Sequence, residues 1–215
     1  YFKGTLPEFP AGKPLFVFAS HFHADHYAPV IFQLGEKREN VFYILSKEIG
    51  KKIPEEYRKR YKDRIRLVKA GERFCLNISE ESLIVETFHS TDEGVAFWLS
   101  CEGKEIYHAG DLNNWWWEGE DMAWNRNMAA SYKQEMKKLS GRTADLAFIP
   151  VDPRQEQWFY LGAAGFMEQA DTKWIFPMHF WEDYTIIPKL IEHPSSEGWR
   201  DRIVEIHKEG EEFIR

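Results

Sequence analysis

Cysteine is scarce in this sequence. Its 215 residues include only two cysteines, Cys75 and Cys101. Two thiols are too few for a disulfide framework, and they lack the paired spacing of a zinc ribbon. We interpret both as ordinary buried thiols in a reducing compartment, which predicts a cytoplasmic location.

Long hydrophobic runs and an excess of basic charge are also absent. The longest apolar runs, such as Pro14 to Ala19, fall far short of the roughly 20 residues that span a bilayer, and no signal peptide is recognisable. The 28 Lys and Arg are outnumbered by 35 Asp and Glu, which gives a net charge of −7 and argues against a general binder of nucleic acid. We therefore expect a small-molecule substrate and no membrane partner. No pattern indicates an oligomeric state.

The composition is that of a packed domain. Hydrophobic residues make up 43% of the chain and aromatic residues 16%, which is enough for a core, and we predict a single domain over residues 1–215. Short β-branched and aromatic runs alternate with longer amphipathic segments, a pattern that indicates an α/β fold. The predicted strands are Leu15–Ala19, Val41–Leu45, Arg64–Val68, Leu83–Phe88, Val95–Ser100, Lys104–Ala109, Leu146–Pro150, Trp174–Met178 and Ile203–His207. The predicted helices are His26–Leu34, Pro54–Tyr61, Glu120–Leu139, Trp158–Gln169 and Tyr184–Glu192.

A His-x-His-x-Asp-His motif follows the first predicted strand. It consists of His21, His23, Asp25 and His26. Alternate residues of an extended chain point the same way, so the first two imidazoles can face one metal ion. Asp25 and His26 follow at the point where the chain turns into a helix, so their side chains can face a second metal ion beside the first. Imidazole and carboxylate together suit zinc, and also iron or manganese. The alternative is a chance cluster of surface histidines, but such a pattern arises by chance in on the order of one chain in a few thousand.

Three more candidate ligands each follow a predicted strand. His89 ends one apolar run and precedes a turn-rich stretch, Asp111 comes directly after Gly110, and His179 follows Met178. The glycine allows the backbone to turn sharply, and the carboxylate of Asp111 can bridge two ions. Ligands gathered at one edge of a sheet make a site.

The order of these seven residues resembles the metal-ligand signature of the metallo-β-lactamase superfamily, and the resemblance spans nearly the whole chain. The segments at 107–111 and 177–180 are most similar to the group that includes ascorbate-6-phosphate lactonase-like hydrolases. His26 stands where the true β-lactamases have cysteine or arginine, and His23 stands where the flavodiiron branch has glutamate. Neither antibiotic hydrolysis nor flavodiiron chemistry is therefore expected.

The resemblance implies a fold and a division of the ligands. The fold is a four-layer αββα sandwich of the α/β class, with the metal ions at one edge. The family also begins with an N-terminal β-hairpin, which we do not find before Leu15 in a chain that starts at Tyr1 rather than Met. Carried over to this sequence, one ion would be held by His21, His23 and His89, the other by Asp25, His26 and His179, with Asp111 bridging them.

These implied sites predict a binuclear metal-dependent hydrolase of a small-molecule ester, lactone or phosphate-bearing metabolite. Two divalent ions, with zinc the first choice and manganese or iron as alternatives, would provide a bridging hydroxide as the nucleophile. Asp25 and Asp111 are the candidate catalytic residues, because Asp25 would orient the hydroxide and carry its proton to the leaving group. A phosphodiesterase or nuclease on the same ligands is one alternative, which the acidic balance disfavours. A mononuclear iron persulfide dioxygenase that uses a subset of the ligands is another.

Four residues outside the ligand set are candidates for contact with the substrate. Trp115, Trp116 and Trp117 begin four residues after Asp111, so we predict that at least one of them lines the substrate pocket. Packing beneath the following helix is the alternative for these indoles. Arg154 can hold an anionic group or pair with a surface acid, which is the commoner role.

Two polar residues next to the predicted ligands have less specific roles. His108 is expected to be a core histidine or to orient a ligand, because the neighbouring residues of its strand point the other way. Asp92 either orients His89 or shapes the turn.

Overall fold

The computed structural model describes residue 10, residues 12–78 and residues 81–214. Within them, β1 (Leu15–Ala19), β2 (Val41–Ser46) and β3 (Ile65–Val68) form a parallel sheet in the order β1-β2-β3. Val, Ile, Phe and Tyr dominate these strands because branched and aromatic side chains pack well on a pleated surface. The two connections between the strands contain helices, since parallel neighbours need a crossover.

A second sheet has six strands, paired in the order in which the chain forms them. Its first four strands are antiparallel to their neighbours, and its last three are parallel to one another. As a result, the second, fourth, fifth and sixth strands of this sheet all end at the same edge. The strands are β4 (Arg73–Ile78), β5 (Glu81–His89), β6 (Val95–Cys101), β7 (Lys104–His108), β8 (Thr143–Pro150) and β9 (Asp171–Met178).

Helices lie on the outer faces of both sheets. The longest helix begins after Asp121, whose carboxylate accepts a 2.8 Å hydrogen bond from the backbone N–H of Trp124 and so caps it. No helix in the described ranges is both long enough and apolar enough to cross a membrane. The α-helices are α1 (Gln33–Lys37), α2 (Glu55–Arg60), α3 (Met122–Lys137), α4 (Leu161–Gln169) and α5 (Ile186–Glu192). Short 3-10 helices are Pro29–Phe32, Lys47–Lys51, Lys62–Arg64, Pro153–Trp158, Pro194–Ser196 and Arg200–Arg202.

Three apolar layers hold the sheets and helices together. In β2, Tyr43 is buried on the side of α1 and α2, whereas Ile44 points the other way and packs with Val85 of β5 between the two sheets. On the far side of the second sheet, Tyr107 of β7 stacks on Phe166 of α4 with ring centroids 4.8 Å apart. The α/β class and the αββα layering predicted for the chain are therefore confirmed.

Two strand predictions differ from the structure. The segment predicted as a strand at Ile203–His207 contributes only an isolated bridge between Ile203 and Ile175. We did not predict β4, because it is an edge strand with alternate residues exposed, including Cys75. The prediction that both cysteines are buried is wrong, since Cys75 of the edge strand faces solvent and Cys101 of β6 is only partly buried.

The segment after the histidine motif also differs from the prediction. Instead of one helix over His26–Leu34, the chain forms the 3-10 helix Pro29–Phe32, which leads directly into α1. Ala28 is extended, with φ −136° and ψ 139°, because a residue before proline disfavours the helical region. The predicted lack of an N-terminal hairpin concerns residues 1–9 and 11, which lie outside the described residues.

Candidate metal centre

The candidate metal centre lies at the edge where several strands end. The histidine motif follows β1, and the loops after β5, β7, β8 and β9 reach the same edge from the second sheet. At the end of β7, Gly110 has a positive φ of 55°, and a side chain there would lie 2.7 Å from Ser20 Cβ. Glycine is therefore needed to bring Asp111 close to the motif.

Ser20 orients two imidazoles of the motif. Its hydroxyl lies 3.1 Å from the Nδ1 atoms of both His21 and His26. The motif is compact because the backbone N–H groups of His26 and Tyr27 both donate to the carbonyl of His23. With Nδ1 engaged, the Nε2 atom of each imidazole is directed at Asp111, which is how a hydrogen bond to one ring nitrogen sets the role of the other.

His21, His23 and Asp111 form the first group of possible metal ligands. One ligand atom from each lies within 4.8 Å of the others. His21 Nε2 is 3.0 Å from His23 Nδ1 and 3.3 Å from Asp111 Oδ2. Burial, together with the nearby His26, lowers the pKa of His21 to about 4. Its ring is therefore neutral near pH 7, the form that binds metal.

Asp25, His26 and His179 form the second group, with the same 4.8 Å spacing. Asp25 Oδ2 lies 3.3 Å from His26 Nε2 and 3.4 Å from His179 Nε2. Burial works against protonation of His179, but its hydrogen bond to Asp152 and the carboxylates nearby raise its pKa above the ordinary value. Each group thus contains two imidazoles and one carboxylate.

Asp111 lies between the two groups. Its Oδ2 faces His21, whereas its Oδ1 lies 3.0 Å from His26 Nε2 and 3.5 Å from His179 Nε2. Burial opposes ionisation of this carboxyl, but the imidazoles around it lower its pKa below the usual range. A carboxylate with one oxygen toward each group has the arrangement of a bridging ligand.

Three buried atoms at this centre support metal binding. His26 Nε2, Asp111 Oδ1 and His179 Nε2 lie close to one another, but none of them makes a hydrogen bond of acceptable geometry with a described residue. Buried polar atoms are nearly always paired, and imidazole nitrogen and carboxylate oxygen are ligands that zinc and other divalent metals use. The donor set therefore fits metal ions.

His89 is not with the other six predicted ligands and belongs to neither ligand group. His89 is exposed. Its Nδ1 lies 2.5 Å from the carbonyl oxygen of Ser90, and its backbone N–H donates to Glu135 of α3. Asp92, three residues later, lines the pocket beside the centre instead. Burial and the neighbouring Asp111 raise the pKa of Asp92, so this carboxyl lies within the electrostatic reach of the ligands.

Asp152 is a functional candidate that the sequence analysis missed. Its side chain is fully buried, and its Oδ2 accepts a 2.8 Å hydrogen bond from His179 Nδ1. Arg154 holds the same carboxylate from the backbone and from the guanidinium, and these contacts keep the pKa of Asp152 well below its usual range despite burial. Asp152 follows β8 at the ligand edge, so the rule that selected Asp111 and His179 would have found it.

A pocket of about 310 Å³ opens beside the centre. Trp115 and Trp117 line it together with Arg154, whereas Trp116 turns away and packs on Trp158 at 5.3 Å. Arg154 pairs with Asp152, a buried acid rather than the surface acid expected, and its guanidinium also lies 4.5 Å from the ring centroid of Trp181. The pocket is also lined by four residues that the sequence analysis did not single out, namely Thr91, Trp124, Met128 and Trp181.

His108 belongs to a smaller opening on the other side of the ligands. It lines that opening with His26 and His179, but it is in neither ligand group. Its Nδ1 accepts a 3.1 Å hydrogen bond from the backbone N–H of Gly110, and its ring stacks on Phe148. Burial, with the nearby His26, lowers its pKa to about 4. His108 thus packs against the turn that carries Asp111.

No protein-family model and no curated protein matches the chain. Among solved structures, it is similar to CmlA, a diiron β-hydroxylase from Streptomyces venezuelae, with 12% identity over 93% of this chain and a TM-score of 0.55. The chain spans 44% of the length of that structure. It is also similar to the metallo-β-lactamase fold protein YhfI from Bacillus subtilis, with 13% identity over 94% of this chain and 77% of that chain and a TM-score of 0.49. The short form of human tRNase Z is 15% identical over 80% of this chain and 75% of that chain, with a TM-score of 0.39. At 12% identity the similarity to the diiron β-hydroxylase establishes the fold alone, a mixed α/β architecture.

Proposed function

We propose that the protein is a binuclear metal-dependent hydrolase of a small-molecule ester, lactone or phosphate-bearing metabolite. The observation that carries the proposal is the pair of ligand groups that face a single carboxylate, Asp111. One ion would be held by His21, His23 and Asp111, and the other by Asp25, His26 and His179, with Asp111 shared. Asp92, rather than His89, is the nearby residue available to the first ion.

Two divalent ions, when bound, would supply a water of lowered pKa and polarise a carbonyl or phosphoryl oxygen. The protein's own groups would position the reactants around them. Asp25 is partly exposed and lines the pocket, so its free oxygen can accept a proton from water and release it to a leaving group. Asp152 and Ser20 fix the rings of His179 and His26, which keeps the reacting geometry constant.

The size and charge of the pocket support a small molecule. A volume of about 310 Å³ is at the lower end of the range for ligand sites, and the net charge of −7 disfavours a nucleic acid. The resemblance of the segments at 107–111 and 177–180 to the ascorbate-6-phosphate lactonase-like group favours an ester or lactone. Cytoplasmic location and zinc as the native metal belong to the same proposal.

Elemental analysis and a substrate screen test this proposal together. We expect two metal ions per chain, with zinc the first choice, and hydrolysis of at least one member of a panel of lactones, phosphoesters and thioesters. Asp111→Asn should lose both metal and activity, whereas His207→Ala should keep both, because His207 is exposed and outside the ligand groups. Full activity in metal-depleted protein would contradict the proposal.

Oxidation by a pair of iron ions is a second candidate, favoured by the ligand chemistry. Each group has two histidines and one carboxylate, the set that non-haem iron oxygenases use and that also holds hydrolytic zinc. The similarity to a diiron β-hydroxylase is compatible with this candidate. Two irons per chain and oxygen consumption without hydrolysis would favour it. A single iron per chain would instead favour the mononuclear dioxygenase.

A further inference from the structure

Two indoles at the pocket are unusually exposed. Trp124 is 38% exposed and Trp181 is 52% exposed, whereas Trp98 and Trp115 are 3% and 5% exposed. Both exposed indoles line the pocket beside the candidate metal centre, although they come from α3 and from the loop after β9. Exposed apolar surface gathered around one cavity marks a binding site.

The apolar wall begins directly beside the ligands. Trp115 meets His179 edge to face at 5.4 Å, and Trp117 stacks on Trp115 at 5.7 Å with the rings nearly parallel. The indole N–H of Trp115 donates to the backbone oxygen of Asp111 at 2.9 Å. This stack is therefore fixed relative to the centre, and an apolar group that contacts it must be close to the reacting bond.

Arg154 adds a fixed positive charge to this wall. It is the one Arg or Lys that lines the pocket in the described part of the chain, and its contacts with buried Asp152 hold it in place. Its guanidinium lies 4.5 Å from the Trp181 ring centroid and 5.9 Å from that of Trp117. A ligand that is both aromatic and anionic is complementary to this combination of indoles and cation.

We propose, on the basis of the hydrolase function above, that the substrate is an aryl ester or aryl phosphoester. Its aromatic ring would lie against Trp117, Trp124 and Trp181, and its ester group would face Asp111 and His179. Flat indole surfaces favour a ring over a flexible alkyl chain, because offset and edge-to-face ring contacts add to the buried area. Trp181 lies 5.2 Å from His179 between ring centroids, so a ring packed on this indole would have its ester group within a bond or two of the candidate metal ligands.

Calorimetry on the zinc-loaded protein with two phosphonates tests this substrate class. 1-Naphthylphosphonate and methylphosphonate carry the same anionic group, and their carbon–phosphorus bonds are not hydrolysed as esters are. We expect the naphthyl compound to bind at least about tenfold more tightly, which corresponds to ~1.4 kcal/mol. Equal affinities, or binding of neither compound, would overturn the proposal.

Three tryptophan variants test which indoles cause the preference for the naphthyl compound over methylphosphonate. Trp124→Ala preserves the helix cap, because that contact uses the backbone N–H, and Trp181→Ala removes the most exposed indole. Trp124→Ala should reduce the naphthyl preference at least about threefold while leaving methylphosphonate binding within twofold. Trp181→Ala should also reduce the ratio of the two affinities at least about threefold, but it removes the hydrogen bond from the Trp181 indole to Asp152, so both affinities should fall in this variant. Trp158→Ala is the matched control, since Trp158 packs on Trp116 outside the pocket. An unchanged preference in both pocket variants would overturn the assignment.

The binding result separates this inference from the function on which it rests. A naphthyl preference without hydrolysis of any ester in the panel would support the aromatic pocket while contradicting the hydrolase. Hydrolysis of ethyl and naphthyl acetates with equal kcat/KM, together with equal phosphonate affinities, would support the hydrolase and overturn the aryl substrate class.

Discussion

The imidazole of His179 is held by the carboxylate of Asp152 through a 2.8 Å hydrogen bond between Nδ1 and Oδ2. His179 has a positive φ of 65°, a conformation that costs a non-glycine residue about 1 kcal/mol or more. The hydrogen bond and the strained backbone together direct Nε2 toward Asp25 and Asp111. A buried carboxylate that fixes one ring nitrogen leaves the other available to a metal ion.

Replacing Asp152 with Asn should weaken the second metal position. The amide keeps a polar group in the cavity but removes the charge that orients the ring, so we expect metal affinity to fall about 10- to 100-fold. Competition with a chromophoric chelator measures the change. Asp145→Asn is the matched control, because Asp145 lies on the same strand, β8, and pairs with Lys173 away from the centre. Equal affinities in the two variants would show that Asp152 does not position His179.

His89 and Asp92 provide a direct test of the ligand set. His89→Ala should keep the full metal content, because His89 is exposed and belongs to neither group. Asp92→Asn should lower the affinity of the first position and reduce turnover at least about tenfold. Metal content and kcat/KM of both variants decide between the two residues. Loss of one metal ion in His89→Ala, with Asp92→Asn unaffected, would restore the interpretation from the sequence.

The strand ends made most of this centre predictable from the sequence. Six of the seven expected ligands fall into two groups, because short β-branched and aromatic runs located the strands and the segments that follow these strands reach the same edge. His89 lies outside both groups because the chain makes a tight turn after β5, where Ser90 N–H donates to the carbonyl of Gly94, and the register of that turn cannot be read from residue types. Asp152 also follows a strand that ends at this edge, so its position could be predicted, but its contact with His179 could not.

The metal-free protein should lose stability in acid between about pH 6.5 and pH 4. Burial lowers the pKa of His108 and of His21 to about 4, whereas in the unfolded chain both titrate near 6.5. Within this window the unfolded state binds protons that the folded state does not, so stability is present above pH 6.5 and declines as the pH falls. Each group contributes a slope of at most about 1.4 kcal/mol per pH unit.

His108→Asn isolates one of these two groups. An asparagine can still accept the hydrogen bond from Gly110, but it does not titrate. The unfolding free energy of the His108→Asn protein, measured in urea at pH 7, 5.5 and 4.5, should fall less steeply with decreasing pH than that of the parent protein. Parallel pH profiles for the two proteins would mean that His108 does not titrate differently in the folded and unfolded states.

Gly94 joins the turn after β5 to the histidine motif, and its substitution should damage both stability and metal binding. Gly94 has a φ of 74°, and an added Cβ would lie 2.6 Å from His21 Cβ and against the carbonyl oxygen of Ser20. That carbonyl accepts a 3.0 Å hydrogen bond from the N–H of Val95, so the backbone cannot move away without breaking the link between the two sheets.

Gly71→Ala separates this clash from the conformational cost. Gly71 has a similar φ of 80°, but a Cβ there would meet nothing within 4 Å, so the substitution should cost only ~1 kcal/mol for the left-handed backbone. Gly94→Ala should cost a further ~3 kcal/mol from overpacking and should displace His21, which lowers the metal content as well. Urea denaturation and elemental analysis measure both effects. If the two alanine variants were equally stable and equally loaded with metal, close packing of Gly94 against the motif would not be what holds His21 in the first ligand group.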